Sequence, residues 1–378
     1  MNAPHMFPRQ TSAETLIELT VVVPTFNERD NVEFLVARLH RILAGIAWEV
    51  IFVDDDSTDG TGKVLRDLAR RDPRVRAIER IGRRGLSSAC VEGFLASSAP
   101  YLAVIDADLQ HDESLVPVML RRLRTEPLDI VVASRYVGTG STEQWQDARR
   151  RMISRLSVAV AQRLSRVPLS DPMSGFFMVT RDAFLGAVRN LSQLGFKILF
   201  DLMASSPRPL RFAEIPYSFE SRRNGESKLD TMAAWHFGVL ILDKLIGRWL
   251  PVRFVMFALV GGTGVLVHLA VLYALLHLSM AFVSAQVGAL LAAITSNFVL
   301  NNLITYRDKR LRGFAIVRGL LTFYAACALG AFVNTSIAVT VYERWPIWWA
   351  AGLAGALIGA AWNYGASRVF TWNQPALS

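Results

Sequence analysis

Three polar clusters, two of them rich in aspartate, recur along the first 110 residues, each at the end of a short apolar run. They are Pro24-Thr25-Phe26-Asn27-Glu28, Asp54-Asp55-Asp56-Ser57-Thr58-Asp59-Gly60 and Asp106-Ala107-Asp108-Leu109-Gln110. Carboxylates gathered in one place repel, and a divalent cation relieves that repulsion. Asp-x-Asp offers two hard oxygen donors to one Mg²⁺ or Mn²⁺ and leaves other coordination positions for diphosphate oxygens. Asp-rich segments also make Asx turns and helix caps, so turn chemistry is a competing reading for residues 54–59. Neither a Cys–His metal spacing nor a Gly-x-Ser-x-Gly elbow occurs.

The elements that must position these clusters follow from alternating patterns. Strands are expected at residues 20–26, 50–53, 75–79, 101–105 and 129–133, with helices near 30–44, 60–71, 87–98 and 113–124. Strands alternating with helices give an α/β fold with a mostly parallel, doubly wound sheet. Ligands of such sheets bind at the carboxyl ends of the strands, where the three clusters lie.

Together with Arg84-Gly85-Leu86-Ser87-Ser88-Ala89, these motifs resemble those of inverting family 2 glycosyltransferases, which have the Rossmann-like GT-A fold. Within that family the chain is most similar to dolichol- and polyprenyl-phosphate mannose synthases. Ala133-Ser134-Arg135-Tyr136, Asp171-Pro172-Met173-Ser174-Gly175-Phe176-Phe177, Gly195-Phe196-Lys197-Ile198 and Arg222-Arg223-Asn224-Gly225-Glu226-Ser227-Lys228 carry the narrower likeness. The resemblance implies that Pro24, Phe26, Glu28, Val53 and Asp55 hold the nucleoside of a nucleotide sugar. Phe26 stands where a tyrosine is usual, keeping the stacking face and losing the hydroxyl. Asp106, Asp108 and Gln110 would surround the metal, Mn²⁺ or Mg²⁺, with Ala107 lining the site. Arg135, Lys197, Arg222 and Lys228 would address phosphates of donor or acceptor. The implied reaction transfers a sugar, mannose from GDP-mannose first, to the phosphate of a polyprenyl or dolichyl phosphate. A UDP-sugar such as UDP-glucose is the alternative donor.

The rest of the chain is of a different kind. Of its 378 residues 52% are hydrophobic and only 19% charged, with net charge +9. Residues 251–378 hold eight Lys/Arg and two Asp/Glu, a balance of +6, so the first 250 residues are nearly neutral. A basic excess concentrated in the most apolar third indicates a membrane and not a nucleic acid partner. Residues 254–306 are 53 in a row without a charged side chain, and a spanning helix needs about 20 apolar residues. Four transmembrane helices are expected, near 253–277, 281–304, 317–341 and 346–369.

Arg307, Lys309, Arg310, Arg312 and Arg318 fall between the second and third spans. By the positive-inside rule this loop, and with it the N-terminal domain, faces the cytoplasm of a multi-pass inner or plasma membrane protein. The domain plan is a tail at 1–19, a catalytic domain at 20–225, amphipathic interfacial helices at 226–250 and the membrane domain at 251–373. A basic amphipathic pattern over 149–167 suits either the membrane surface or packing on the domain.

The membrane unit repeats itself at an offset of 66 residues. Asn297-Phe298 and Asn302-Leu303-Ile304-Thr305-Tyr306 correspond to Asn363-Tyr364 and Arg368-Val369-Phe370-Thr371-Trp372, and Gly264 falls on Gly330. These residues resemble the GtrA-like membrane family. Such a repeat also motivates a reading as a transporter of lipid-linked sugar with a nucleotide-binding domain.

Overall fold

The computed structural model describes residues 16–137, 161–192, 195–217, 238–244, 246, 250–306, 309–345 and 347–372. The chain divides into two compact units, Met1–Lys244 and Leu245–Ser378.

The first unit is built on a seven-stranded sheet of order β3-β2-β1-β4-β6-β5-β7. The strands are β1 (Leu19–Thr25), β2 (Trp48–Asp54), β3 (Val75–Glu79), β4 (Tyr101–Val104), β5 (Ile130–Ser134), β6 (Phe177–Thr180) and β7 (Phe212–Pro216). β1 to β4 pair in parallel, β6 runs antiparallel between β4 and β5, and β7 is parallel to β5. Six strands therefore end at one edge, and the single antiparallel strand begins there. The first five strands fall where the alternation places them. β6 and β7 are additions, and β6 makes the sheet mixed at its centre.

Helices α1 (Val32–Ile42), α2 (Thr61–Arg71), α3 (Leu86–Leu95), α4 (Leu115–Thr125), α5 (Arg181–Ala187) and α6 (Ile198–Ser205) cover both faces. Residues on alternate sides of the strands feed two apolar cores. Val21, Val23, Phe52 and Ala103 share one with α1 and α4, while Val22, Val53, Val104 and Phe177 share the other with α3, α5 and α6. Burial on both faces explains why the strands read as continuous apolar runs.

Of the basic segment 149–167, residues 149–160 lie outside the described residues. Ala161 and Val167 are buried in the first unit and Leu164 packs beside Phe200, so this end packs on the domain. Within 226–250, residues 238–244 are helical. Lys244 anchors them, its Nζ 2.5 Å from Oδ1 of the fully buried Asp201 and 2.7 Å from Ser205 Oγ.

The second unit contains α7 (Val252–His277), α8 (Phe282–Leu300), α9 (Phe314–Arg344) and α10 (Trp348–Ala366). The stretches Val252–His277, Phe282–Thr305 and Phe314–Arg344 are long and apolar enough to cross a membrane, and α10 adds 19 residues. The 66-residue repeat is visible in the backbone, because α8 and α10 each end in a π-helical turn, at Asn301–Thr305 and Ser367–Thr371. Equivalent residues of the two halves also meet. Tyr306 stacks on Trp372 with centroids 4.2 Å apart, and Phe257 meets Phe323 at 6.4 Å. Pairs related by the repeat can touch each other only near an axis that relates the halves, so these contacts mark a pseudo-twofold.

Each half contains the same glycine slot. A methyl group on Gly264 would stand 2.8 Å from Cγ of Asn297, and one on Gly330 would stand 2.7 Å from Cγ of Asn363. Small residues let membrane helices approach closely. Gly264→Ala and Gly330→Ala are each expected to cost about 1–3 kcal/mol by overpacking, whereas Gly261→Ala, with open space around it, should be silent. Thermal midpoints of the detergent-solubilised variants check this, and equal midpoints at 261 and 264 would refute it.

Candidate active site

The common edge of the sheet collects the sequence clusters. Register places Thr25 beside Asp54 and Asp54 beside Glu79, so the loops after β1, β2 and β3 are neighbours. Asn27 N–H donates to Ser57 Oγ at 2.8 Å, Thr58 N–H to Asn27 Oδ1 at 3.0 Å, and Glu28 N–H to Thr61 Oγ1 at 3.0 Å. Three non-glycine residues here adopt left-handed backbone: Asn27 at φ 57°, Asp56 at φ 60° and Leu109 at φ 59°. Such conformations cost energy and cluster at functional sites. Each follows one of the three strands that carry the polar motifs.

The Asp54–Asp59 cluster resolves its own repulsion. Asp54 accepts Ser57 N–H at 3.1 Å and its hydroxyl at 2.5 Å, and Asp59 accepts both N–H and hydroxyl of Thr61. This is the turn chemistry foreseen as the competing reading. Asp55 is held by Arg80, whose Nη1 donates to Oδ1 at 2.6 Å, and by Gly85 N–H, which donates to Oδ2 at 2.6 Å. Arg80 is almost wholly buried and also donates to Ser88 Oγ. Burial pushes the Asp55 carboxyl above the usual range, against the opposing pull of Gly85 N–H and the Arg80 charge. Gly85, at φ 144°, takes a conformation that side chains rarely permit. Asp55 thus fixes the start of α3. Hydrogen bonds and Arg80 thus relieve the charge of the second cluster without a cation.

Of the residues expected to hold the nucleoside, Phe26 is 41% exposed, Pro24 and Glu28 are half-buried, and Val53 is buried in the core. Val53 can therefore offer only its backbone. The Phe26 ring is not bare, since the Arg84 guanidinium lies 4.3 Å from its centroid, a cation–π arrangement.

Beyond β4, Gln110 N–H donates to Asp108 Oδ1 at 3.2 Å, and Asp106 N–H donates to His111 Nδ1 at 3.1 Å. The Asp106 carboxylate lies over Gly175, where a methyl group would stand 3.2 Å from Oδ2. Ala107 is buried among core residues. Asp106, Asp108 and Gln110 offer two carboxylates and an amide oxygen, a hard donor set that fits Mg²⁺ or Mn²⁺. Among the described residues no three His, Cys, Asp or Glu gather closely enough to hold a metal by themselves. A cation at this set would need further oxygens from substrate or water.

The loop before β6 adds a cationic corner. Asp171, fully buried, accepts Arg135 Nε at 2.8 Å and Nη2 at 3.0 Å, a bidentate pair. Burial opposes the Arg135 charge, but the Asp171 bonds outweigh it and raise its pKa. Ser87 N–H donates to Gly195 O at 3.3 Å, tying the Lys197 loop to α3. Burial, then the Arg135 charge, pushes the Lys197 ammonium below the usual lysine range, while Asp171 and Asp106 oppose the shift. Lys197, Arg135, Asp171 and Asp106 therefore feel one another across a single site. Arg222 and Lys228 lie outside the described residues.

Arg80, Arg84, His111, Asp171 and Tyr217 belong to this edge and were not singled out as site residues by the sequence motifs. His111 directly follows Gln110 and Asp171 opens a quoted motif, so both carried a signal. The pairing of Arg80 with Asp55 across 25 residues carried none.

Comparison with known proteins accords with this arrangement. Residues 20–186 match the family model described as glycosyl transferase family 2, and residues 256–372 match the GtrA/DPMS transmembrane domain. A dolichol-phosphate mannosyltransferase of Pyrococcus furiosus is 32% identical over 358 residues, covering 94% of this chain and 99% of the relative. A dolichol-phosphate mannosyltransferase of Saccharomyces cerevisiae is 37% identical over 225 residues, covering 56% of this chain and 81% of its own. Among solved structures, glucosyl-3-phosphoglycerate synthase from Mycobacterium tuberculosis overlaps 61% of this chain and 78% of its own, with TM-score 0.44 and 20% identity. That overlap is too loose to bear on chemistry. The match to the Pyrococcus relative runs through both units, and the chain belongs to glycosyl transferase family 2 as a glycosyltransferase with a GtrA/DPMS transmembrane domain.

Proposed function

We propose that the protein transfers mannose from GDP-mannose to the phosphate of a membrane polyprenyl or dolichyl phosphate, with inversion at the sugar carbon. One observation carries the reading: the hard-oxygen set of Asp106, Asp108 and Gln110 shares an edge with the half-buried cations Arg135 and Lys197. The names of the relatives, dolichol-phosphate mannosyltransferases, supply the sugar and the lipid.

The acidic set would hold Mn²⁺ or Mg²⁺, which supplies positive charge to the departing nucleoside diphosphate. Phe26 offers its ring face to the base, with the Arg84 guanidinium sharing or yielding that face. Pro24, Glu28, Asp55 and the Val53 backbone frame the nucleoside. Arg135, locked by Asp171, and Lys197, with Arg222 and Lys228, address phosphate oxygens. The acceptor is already anionic near pH 7, because a phosphomonoester has its second pKa near about 6. No carboxylate need act as a base. The residues catalyse by holding that nucleophile in line and by preorganised charge.

The basic loop between α8 and α9 supports a cytoplasmic catalytic domain by the positive-inside rule. Donor identity is tested by supplying purified full-length protein and polyprenyl phosphate with GDP-mannose, UDP-glucose and other UDP-sugars, and identifying the nucleoside diphosphate released. Release of GDP alone is expected. Release of UDP instead would replace the donor assignment.

A further inference from the structure

His111 sits where three segments of the site converge, and each contact is of a different kind. Its Nδ1 accepts the main-chain N–H of Asp106 at 3.1 Å. Its ring stacks on Phe176, with centroids 5.1 Å apart and planes inclined by 18°. The edge of Tyr217 meets it at 6.0 Å and 77°. Phe176 follows Gly175, the residue over which the Asp106 carboxylate rests. Tyr217 N–H is bonded to Ser134 O, next to Arg135.

The hydrogen-bonding pattern selects a tautomer. A nitrogen that accepts from an amide has no proton of its own, so the neutral ring carries its hydrogen on Nε2. Nε2 stands 3.6 Å from Asp106 Oδ2, longer than a hydrogen bond but with its N–H dipole favouring a carboxylate. The imidazole therefore holds the backbone of Asp106 by a hydrogen bond and stands beside its carboxylate, which rests on the loop that carries Gly175.

The geometry points to His111 as a positioning residue that fixes the Asp106 carboxylate in the orientation needed to receive the cation and the donor diphosphate. This rests on the metal-dependent reading above. It makes no use of a charge on the ring, and His111 itself need touch neither substrate nor metal.

Two substitutions separate the ring's shape from its acceptor. His111→Phe keeps the stack on Phe176 and removes the acceptor for Asp106 N–H. His111→Asn restores an acceptor near the position of Nδ1 and loses the stack. Full-length variants are compared by thermal midpoint, by Mn²⁺ affinity in the presence of GDP using electron paramagnetic resonance, and by kcat and KM. The expected result is a roughly tenfold or greater loss of Mn²⁺ affinity and of kcat in His111→Phe, with most of both recovered in His111→Asn, the size of effect seen when residues that orient a metal's ligands are replaced.

A folded His111→Phe that binds Mn²⁺ and turns over as wild type overturns the proposal. If His111→Phe does not fold, His111→Ala, which also lacks the acceptor, takes its place: Mn²⁺ affinity weaker than in His111→Asn supports the proposal, and equal affinity in the two overturns it. Wild-type protein that binds no Mn²⁺ with GDP present would overturn the metal reading on which the inference stands.

Discussion

Replacing Asp108 with alanine is expected to lower sugar transfer by about 10³-fold, equivalent to about 4 kcal/mol of transition-state stabilisation, with the protein still folded. Asp108 contributes one of only two carboxylates in the candidate cation set, and its described backbone bond is local, from Gln110 N–H. The same substitution should weaken Mn²⁺ binding in the presence of GDP, which distinguishes a cation ligand from a general base. A base would lose turnover with metal affinity intact and regain it as pH rises. Asp54→Ala makes the contrast, since Asp54 holds a turn through Ser57. It should alter stability far more than Mn²⁺ affinity.

Asp171→Ala should act through the fold as well as the chemistry. The Asp171 side chain is fully buried and that of Arg135 is 34% exposed. Removing one partner of a fully buried ion pair costs about 3–5 kcal/mol; Arg135, a third exposed, regains some hydration, so the cost here falls towards the about 1–3 kcal/mol of an unsatisfied buried group. Here the stranded cation would also face Lys197, whose ammonium already feels Arg135 unfavourably. The midpoint of the catalytic domain should fall by several degrees, and the KM for donor should rise. Asp171→Asn, which preserves the shape, should fall between. A midpoint equal to wild type in Asp171→Ala would show that the pair contributes nothing to the domain.

Much of this was legible in the sequence, for physical reasons that particular elements make clear. β1, β2, β4 and β5 are short, mostly apolar runs buried on both faces, β3 is a partly exposed edge strand, and amphipathic helices separate them, so their positions follow from period and length. The ends of those strands locate the site without further information. The repeat at offset 66 survives as matched π-helical turns and as Tyr306 stacked on Trp372, because a repeated helical hairpin imposes repeated contacts.

What stayed hidden depends on distant pairing. β6 has four residues, Phe177–Thr180, and no alternation of its own. Only its insertion between β4 and β5 makes it a strand, and that insertion carries Gly175 to Asp106. The Asp54–Asp59 cluster looked like surplus negative charge because Arg80, its main cationic partner, comes from beyond the next strand. His111 looked like an ordinary residue following a motif, since its role depends on Phe176 and Tyr217, residues 65 and 106 positions later in the chain.

The most direct test of the central claim is a radiolabel assay on purified full-length protein in vesicles containing polyprenyl phosphate. GDP-[¹⁴C]mannose is supplied with Mn²⁺ and then with a chelator. The account predicts label in the organic phase as a lipid-phosphate-linked sugar with Mn²⁺, and its loss on chelation. Label that never enters the lipid fraction from any nucleotide sugar, with Mn²⁺ or Mg²⁺ present, would contradict it.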